Sequence, residues 1–155
     1  MVLRALLRTE SDVTALVLRL TLGIVMFPHG AQKVLGWFGG YGLPGTWHFF
    51  TQQMGIPAVF AALAIAAEFL GSIGLIVGFL GRVAAFGIGV EMAVAAVMVH
   101  LPNGFFMNWT GKQAGEGIEY HILVVGIALA LMIRGSGALS IDRAISRRQG
   151  SRLSL

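Results

Sequence analysis

The chain has 155 residues, enough for one domain. Apolar residues make up 56% of it and charged residues 12%, against roughly 25% charged in a soluble domain; with a mean hydropathy of +0.80 this excludes an ordinary soluble protein and indicates one whose solvent is lipid. The net charge of +4 comes mostly from arginines near the two ends, a pattern of membrane orientation rather than of a nucleic-acid surface, and the lack of cysteine excludes disulfides and cysteine-held iron–sulfur clusters within the chain.

Arg4 and Arg8 precede a first apolar segment at 13–36. The run is too long for the core of a secretion signal, and no small-x-small cleavage site follows it. Further segments lie at 57–80, 82–101 and 119–134, each near the ~20 residues a bilayer crossing requires. Gly81-Arg82 makes a very tight connection between the second and third, and short connections force antiparallel neighbours. The expected fold is therefore all-α: a single transmembrane domain over 1–155, an up-down four-helix bundle with a tail at 135–155. Eight basic residues fall on one side, counting both tails and Arg82, and only Lys33 and Lys112 on the other. Both termini are expected in the cytoplasm, in a multi-pass protein of a bacterial inner membrane.

Trp37, Trp47, Trp109, Tyr41 and Tyr120 all fall at or between the outer ends of the segments. They suit an interfacial belt. The loops that carry them are rich in glycine and aromatics and are expected to form a semi-buried lid. Gly74 and Gly78, and Gly126 with Ala130, have the small-xxx-small spacing of close helix approach. Internal packing is the expected use, and a homodimer the other.

Polar groups in hydrocarbon cost about 2.5–3.5 kcal/mol each on insertion scales, so they face protein or water. At helical spacing Arg19, Gly23, Met26, Gly30 and Lys33 share a face of the first segment, with His29 on its flank. Glu68 and Glu91 sit near the middle of the second and third segments. Arg19 is expected to pair with Glu68 or Glu91 in a buried structural ion pair. His29, Lys33, His100 and His121 lie at similar outer depth and are expected to bind a ligand, with Trp37 and Trp109 above it. Pro28 is expected to weaken the helix beside them. Glu68, Glu91 and Glu119 are the candidates for proton transfer. An alternative is a metal held by His29, His100, Glu119 and His121, although the spacing matches no metal-binding motif. His48 is expected to be a loop histidine in the headgroup layer.

The stretches "LRLTLGIVMFPHGAQKVLGW", "EFLGSIGLIVGFLGR", "EMAVAAVMVHLPNGFF" and "GALSIDRAI" together resemble the DoxX family of small four-helix bacterial membrane proteins. The resemblance spans nearly the whole chain, and the family's motif positions fall here on Arg19, His29, Gly30, Lys33, Glu68, Gly71, Arg82, Glu91 and His100. It implies a membrane oxidoreductase component, quinone-linked and acting on thiosulfate or another small reduced sulfur compound. With no haem or iron–sulfur motif, either the substrate meets the quinone directly or a redox partner protein supplies the electron carrier. Two non-enzymatic readings stand beside it: a small-solute or proton-coupled transporter, and an anchor for a redox partner. A metal-binding membrane protein is the third.

Overall fold

The computed structural model describes residues 2–151, and every regular element among them is helical. The α-helices are α1 (Val2–Leu7), α2 (Val13–Leu35), α3 (Gly42–His48), α4 (Ala58–Val77), α5 (Gly81–Ala95), α6 (Glu119–Arg134) and α7 (Ile141–Ser151). Three helices are long and apolar enough to cross a membrane: α2, α4, and Gly81–Asn103, in which α5 continues through a π-helical turn (Ala96–His100) and a 3₁₀ turn (Leu101–Asn103). At 16 residues, α6 is shorter than the ~20 a bilayer core requires. Arg152 of the basic tail lies outside the described residues.

Local chemistry sets the boundaries. Asp12 caps α2, its Oδ1 accepting from the backbone N–H of Thr14 (2.8 Å) and Ala15 (3.2 Å). Gly36, at φ 72°, ends the helix in the left-handed conformation that glycine adopts freely. Pro28 lies inside α2, and the helix passes through it without interruption. The second segment stops at Val77 rather than residue 80, because Gly78 turns left-handed at φ 70°. A Cβ there would lie 2.4 Å from Ser140 Cβ. Gly78 is thus a turn residue rather than half of a helical small-residue pair.

The four long helices pack as neighbours, α2 on α4, α4 on α5, α5 on α6 and α6 on α2. Leu22, Met26, Leu75, Ile88, Val124 and Leu131 fill the space between them. Between lipid-solvated helices such packing gains from close fit more than from the hydrophobic effect. Gly30 shows how close: a Cβ at that position would lie 2.6 Å from Phe69 Cα, so α2 and α4 approach only because it is glycine. Gly126, by contrast, is exposed, and a Cβ there would meet nothing within 4 Å. The Gly126–Ala130 spacing therefore does not serve internal packing.

Arg19 does not pair with either glutamate. Its guanidinium, on a residue 2% exposed, donates to five backbone carbonyls. Nη1 reaches Leu75 (2.8 Å) and Ile76 (2.6 Å), Nε reaches Ser136 (2.8 Å), and Nη2 reaches Ala138 (3.2 Å) and Leu139 (2.8 Å). An arginine has five N–H donors, so the side chain is fully satisfied by the last turn of α4 and the loop after α6. Those carbonyls are the orphan acceptors that a helix C-terminus and a loop leave over. Asp142 does the converse. It is 1% exposed and accepts from Leu80 N (2.8 Å) and Gly81 N (3.0 Å) at the start of α5, and from the Ser136 hydroxyl. Arg82 donates to Met132 O, to Ile133 O at 2.8 Å and to Arg8 O at 3.2 Å. These residues tie α2, α4, α5, α6 and α7 together at one end of the molecule, here called the arginine end.

Candidate functional site

At the opposite end a cavity of about 440 Å³ lies among α2, α4, the α5 extension and α6. Its polar lining brings together His29 and Lys33 from α2, Glu68 from α4, Glu91 and His100 from the third span, and Tyr120 and His121 from α6. The outer part of the face expected on the first segment, Met26 and Lys33 with His29 on its flank, forms one wall here, and side chains distant in sequence converge on it.

Lys33 and Glu68 form an ion pair in the cavity wall, Nζ to Oε2 at 2.5 Å, with side chains 24% and 2% exposed. The lysine stands one turn from the end of α2, where a cation is favoured by the helix dipole. Glu91 lines the cavity from α5, and its Oε2 is buried with no hydrogen-bond partner. His121 is 5% exposed, and its Nδ1 is likewise unpartnered. Its ring lies against that of His100, centroids 4.1 Å apart. The Nδ1 of His100 is 2.9 Å from the carbonyl of Glu116, which fixes that ring's orientation. Tyr120 donates its hydroxyl to the sulfur of Met26 at 3.4 Å. His29 is exposed on the rim, its ring 6.4 Å from that of Tyr120.

Several expected site residues stand elsewhere. Trp37 and Trp109 do not line the cavity; they are 53% and 87% exposed. The cavity's cover comes from Phe49, Phe50, Met54 and Met107 instead. Phe49 and Phe50 open a π-helical turn (Phe49–Gln53) that continues α3. A second π-helical turn carries Met98, Val99 and His100 into the lining. Such turns displace side chains from the regular helical path and recur at functional sites. Glu119 is absorbed by the loop above α6, accepting from Met107 N at 2.9 Å and from the Trp109 indole at 3.3 Å. Loop folding thus uses the carboxylate assigned to proton transfer. It also breaks the alternative metal set of His29, His100, Glu119 and His121: among the described residues no three histidine or acidic side chains come together as metal ligands. His48 is exposed, away from the lining.

Sequence reasoning placed Met26 on the polar face of the first segment but did not anticipate a wall rich in methionine. Five of the chain's seven methionines, Met26, Met54, Met92, Met98 and Met107, line this one cavity. Met92 and Met98 share the third span, but Met26, Met54 and Met107 come from three other parts of the chain, so the grouping as a whole has no periodic signature.

The sequence model of the family described as DoxX matches residues 14–101, a span that holds His29, Lys33, Glu68, Glu91 and His100 and stops short of Tyr120 and His121. Among curated proteins, "Inner membrane protein YqjF" of Escherichia coli is 28% identical over 138 residues, covering 88% of this chain and 95% of its own. "Putative oxidoreductase CatD" of Bacillus subtilis is 28% identical over 131 residues, covering 84% and 86%. "Uncharacterized membrane protein Rv3486" of Mycobacterium tuberculosis is 29% identical over 154 residues, covering 92% and 88%. No solved structure matches the chain.

Proposed function

The chain belongs to the DoxX family of membrane proteins, and from that premise we propose that it is a membrane oxidoreductase component whose cavity binds a quinone ring. One observation carries this reading: a cavity with mostly apolar walls holds two buried polar atoms, Glu91 Oε2 and His121 Nδ1, that no protein group satisfies. Buried polar atoms without partners are costly, and a ring with oxygen substituents supplies partners to both. The volume of about 440 Å³ lies within the ~300–1,000 Å³ of small-molecule sites. A relative named as an oxidoreductase supports the reaction class.

When bound, a quinone accepts two electrons and two protons. This chain's residues supply position and protons. Glu91 hydrogen-bonds a ring oxygen and exchanges its proton there. His121, oriented by its neighbour His100, meets a second oxygen. The Lys33–Glu68 pair fixes the charge of the wall, and the flexible methionines exclude water. Electrons come from a redox partner or directly from the substrate.

We further propose that α6 also crosses, giving four spans with both termini in the cytoplasm. The helix is about 24 Å long at 1.5 Å per residue. The buried Gly135–Ala138 segment continues it at the arginine end, where Arg4, Arg8, Arg147 and Arg148 are exposed, as the positive-inside rule requires of a cytoplasmic face.

The function is tested with purified protein in nanodiscs and a short-chain benzoquinone, followed by thermal unfolding and calorimetry. Saturable binding that raises the unfolding midpoint is expected, weakened in Glu91→Leu. Failure of every quinone to bind the wild-type protein would remove this reading.

A further inference from the structure

Resting on that ring-binding reading, we propose that the cavity selects a neutral planar ring bearing two hydrogen-bonding groups and turns away small oxyanions, thiosulfate among them. This departs from the reduced-sulfur substrate that the family resemblance implies.

The first argument is charge. Among the described residues Lys33 is the lysine or arginine that lines the cavity, and its ammonium is already 2.5 Å from Glu68 Oε2. Glu116 also lines the space. A dianion entering would find its one strong cation neutralised and an acidic group beside it. In a site walled by apolar side chains such an arrangement is poorly screened and repels anions.

The second argument is the pair of unpartnered atoms. Glu91 Oε2 comes from α5 and His121 Nδ1 from α6. Atoms from two different helices are satisfied by a ligand with two polar groups held apart by a rigid frame. A disubstituted ring has them.

The third is the wall. Five thioethers face the same space. Methionine is flexible and polarizable, and its sulfur makes favourable contacts with aromatic rings. Such a wall suits the faces of planar rings and accepts variation in their substituents. It provides no N–H donors for an oxyanion.

The test uses purified wild-type protein in nanodiscs of neutral lipid, with decyl-benzoquinone, its hydroquinone form, thiosulfate and sulfate as probes. Calorimetry and the thermal midpoint are the readouts. Both ring forms bind; thiosulfate at several millimolar neither shifts the midpoint nor displaces them. Glu91→Leu and His121→Phe each weaken ring binding about tenfold, the equivalent of one lost hydrogen bond. The decisive variant is Glu68→Gln, which leaves Lys33 unpaired in the cavity: thiosulfate binding is expected to appear in it. Competition of thiosulfate with the ring in the wild-type protein overturns the proposal while leaving the ring site standing. So does ring binding that is unchanged in both folded variants, or an anion affinity that stays nil in a folded Glu68→Gln. Failure of both ring forms to bind removes the underlying reading as well.

Discussion

Lys33 of α2 and Glu68 of α4 form an ion pair at 2.5 Å in the wall of the cavity, close to where Gly30 lets the same two helices come nearest. Removing one partner leaves the other charged in an apolar wall. Lys33→Met is therefore expected to destabilise by on the order of 3 kcal/mol. Lys33→Met with Glu68→Leu together should cost less than the sum of the two single changes. Chemical unfolding in detergent, arranged as a double-mutant cycle, checks this; strict additivity would show that the pair has no net coupling.

Arg19 provides the contrasting case. Its partners are carbonyls, so its loss is expected to be additive, within about 0.5 kcal/mol, with Glu68→Leu and with Glu91→Leu. Arg19→Lys should recover little of the stability, since an ammonium has three donors for five acceptors. Unfolding of the single and double variants measures both effects. A full rescue by lysine would mean that charge alone matters there.

Asp142 caps a helix to which it does not belong. Asp142→Ala removes the acceptor for Leu80 N and Gly81 N and is expected to cost about 1–2 kcal/mol, as for other helix-cap losses. Asp142→Asn keeps an oxygen for one of them and should fall between. Hydrogen exchange at the amides of residues 80 and 81 would report the loss locally, and unchanged protection there would refute the assignment.

Asp12 sets a pH limit. The hydrogen bond from Arg134 (2.7 Å), then that from Ala15 N, hold its carboxyl below the ordinary value of 3.8. A depressed folded value means that the unfolded chain takes up the proton first. The contribution is fully present above 3.8 and is lost as pH falls through the lower folded value. Arg134→Gln should shrink that acid sensitivity, and added salt should weaken it, because the pair is exposed. Unfolding midpoints measured from pH 6 down to pH 2 give the comparison.

Orientation is open to direct labelling because the chain has no cysteine. A single cysteine at Arg148 is expected to be protected from an impermeant thiol reagent added to intact cells, and one at Lys112 to react. The reverse pattern would invert the topology.

Much of the helix plan was legible because the signals are local. Asp12 and Gly36 bracket the first span, and Glu119 and Arg134 are the ends of the last helix as read from hydropathy. The shared depth of His29, Lys33, His100 and His121 was also legible, since polar side chains in apolar helices have few places to go; that Glu68 and Glu91 join them instead of pairing with Arg19 was not. What was not legible has no side-chain signature. Arg19 pairs with backbone carbonyls, which every residue carries, so the sequence drew attention to the acids instead. The cover formed by Phe49, Phe50 and Met54 depends on a π-helical turn, which composition does not reveal. Glu119 is drawn off by a loop whose shape follows from contacts among 103–119, such as Gly117 N to Phe106 O and Ile118 N to Gly104 O.

The distribution of fastenings gives the molecule a gradient of stiffness. At the arginine end, buried Arg19 and Asp142 and the side chain of Arg82 lock three helix termini to one another and to the final helix. At the cavity end the long helices are joined by glycine-rich loops, by the Lys33–Glu68 clasp and by the bond from the Tyr120 hydroxyl to Met26. Local opening follows the distribution of fastenings, so hydrogen exchange is expected to be faster at the cavity ends of the helices than at the arginine end. Binding space and the densest side-chain-to-backbone fastening thereby lie at opposite ends of the same helices.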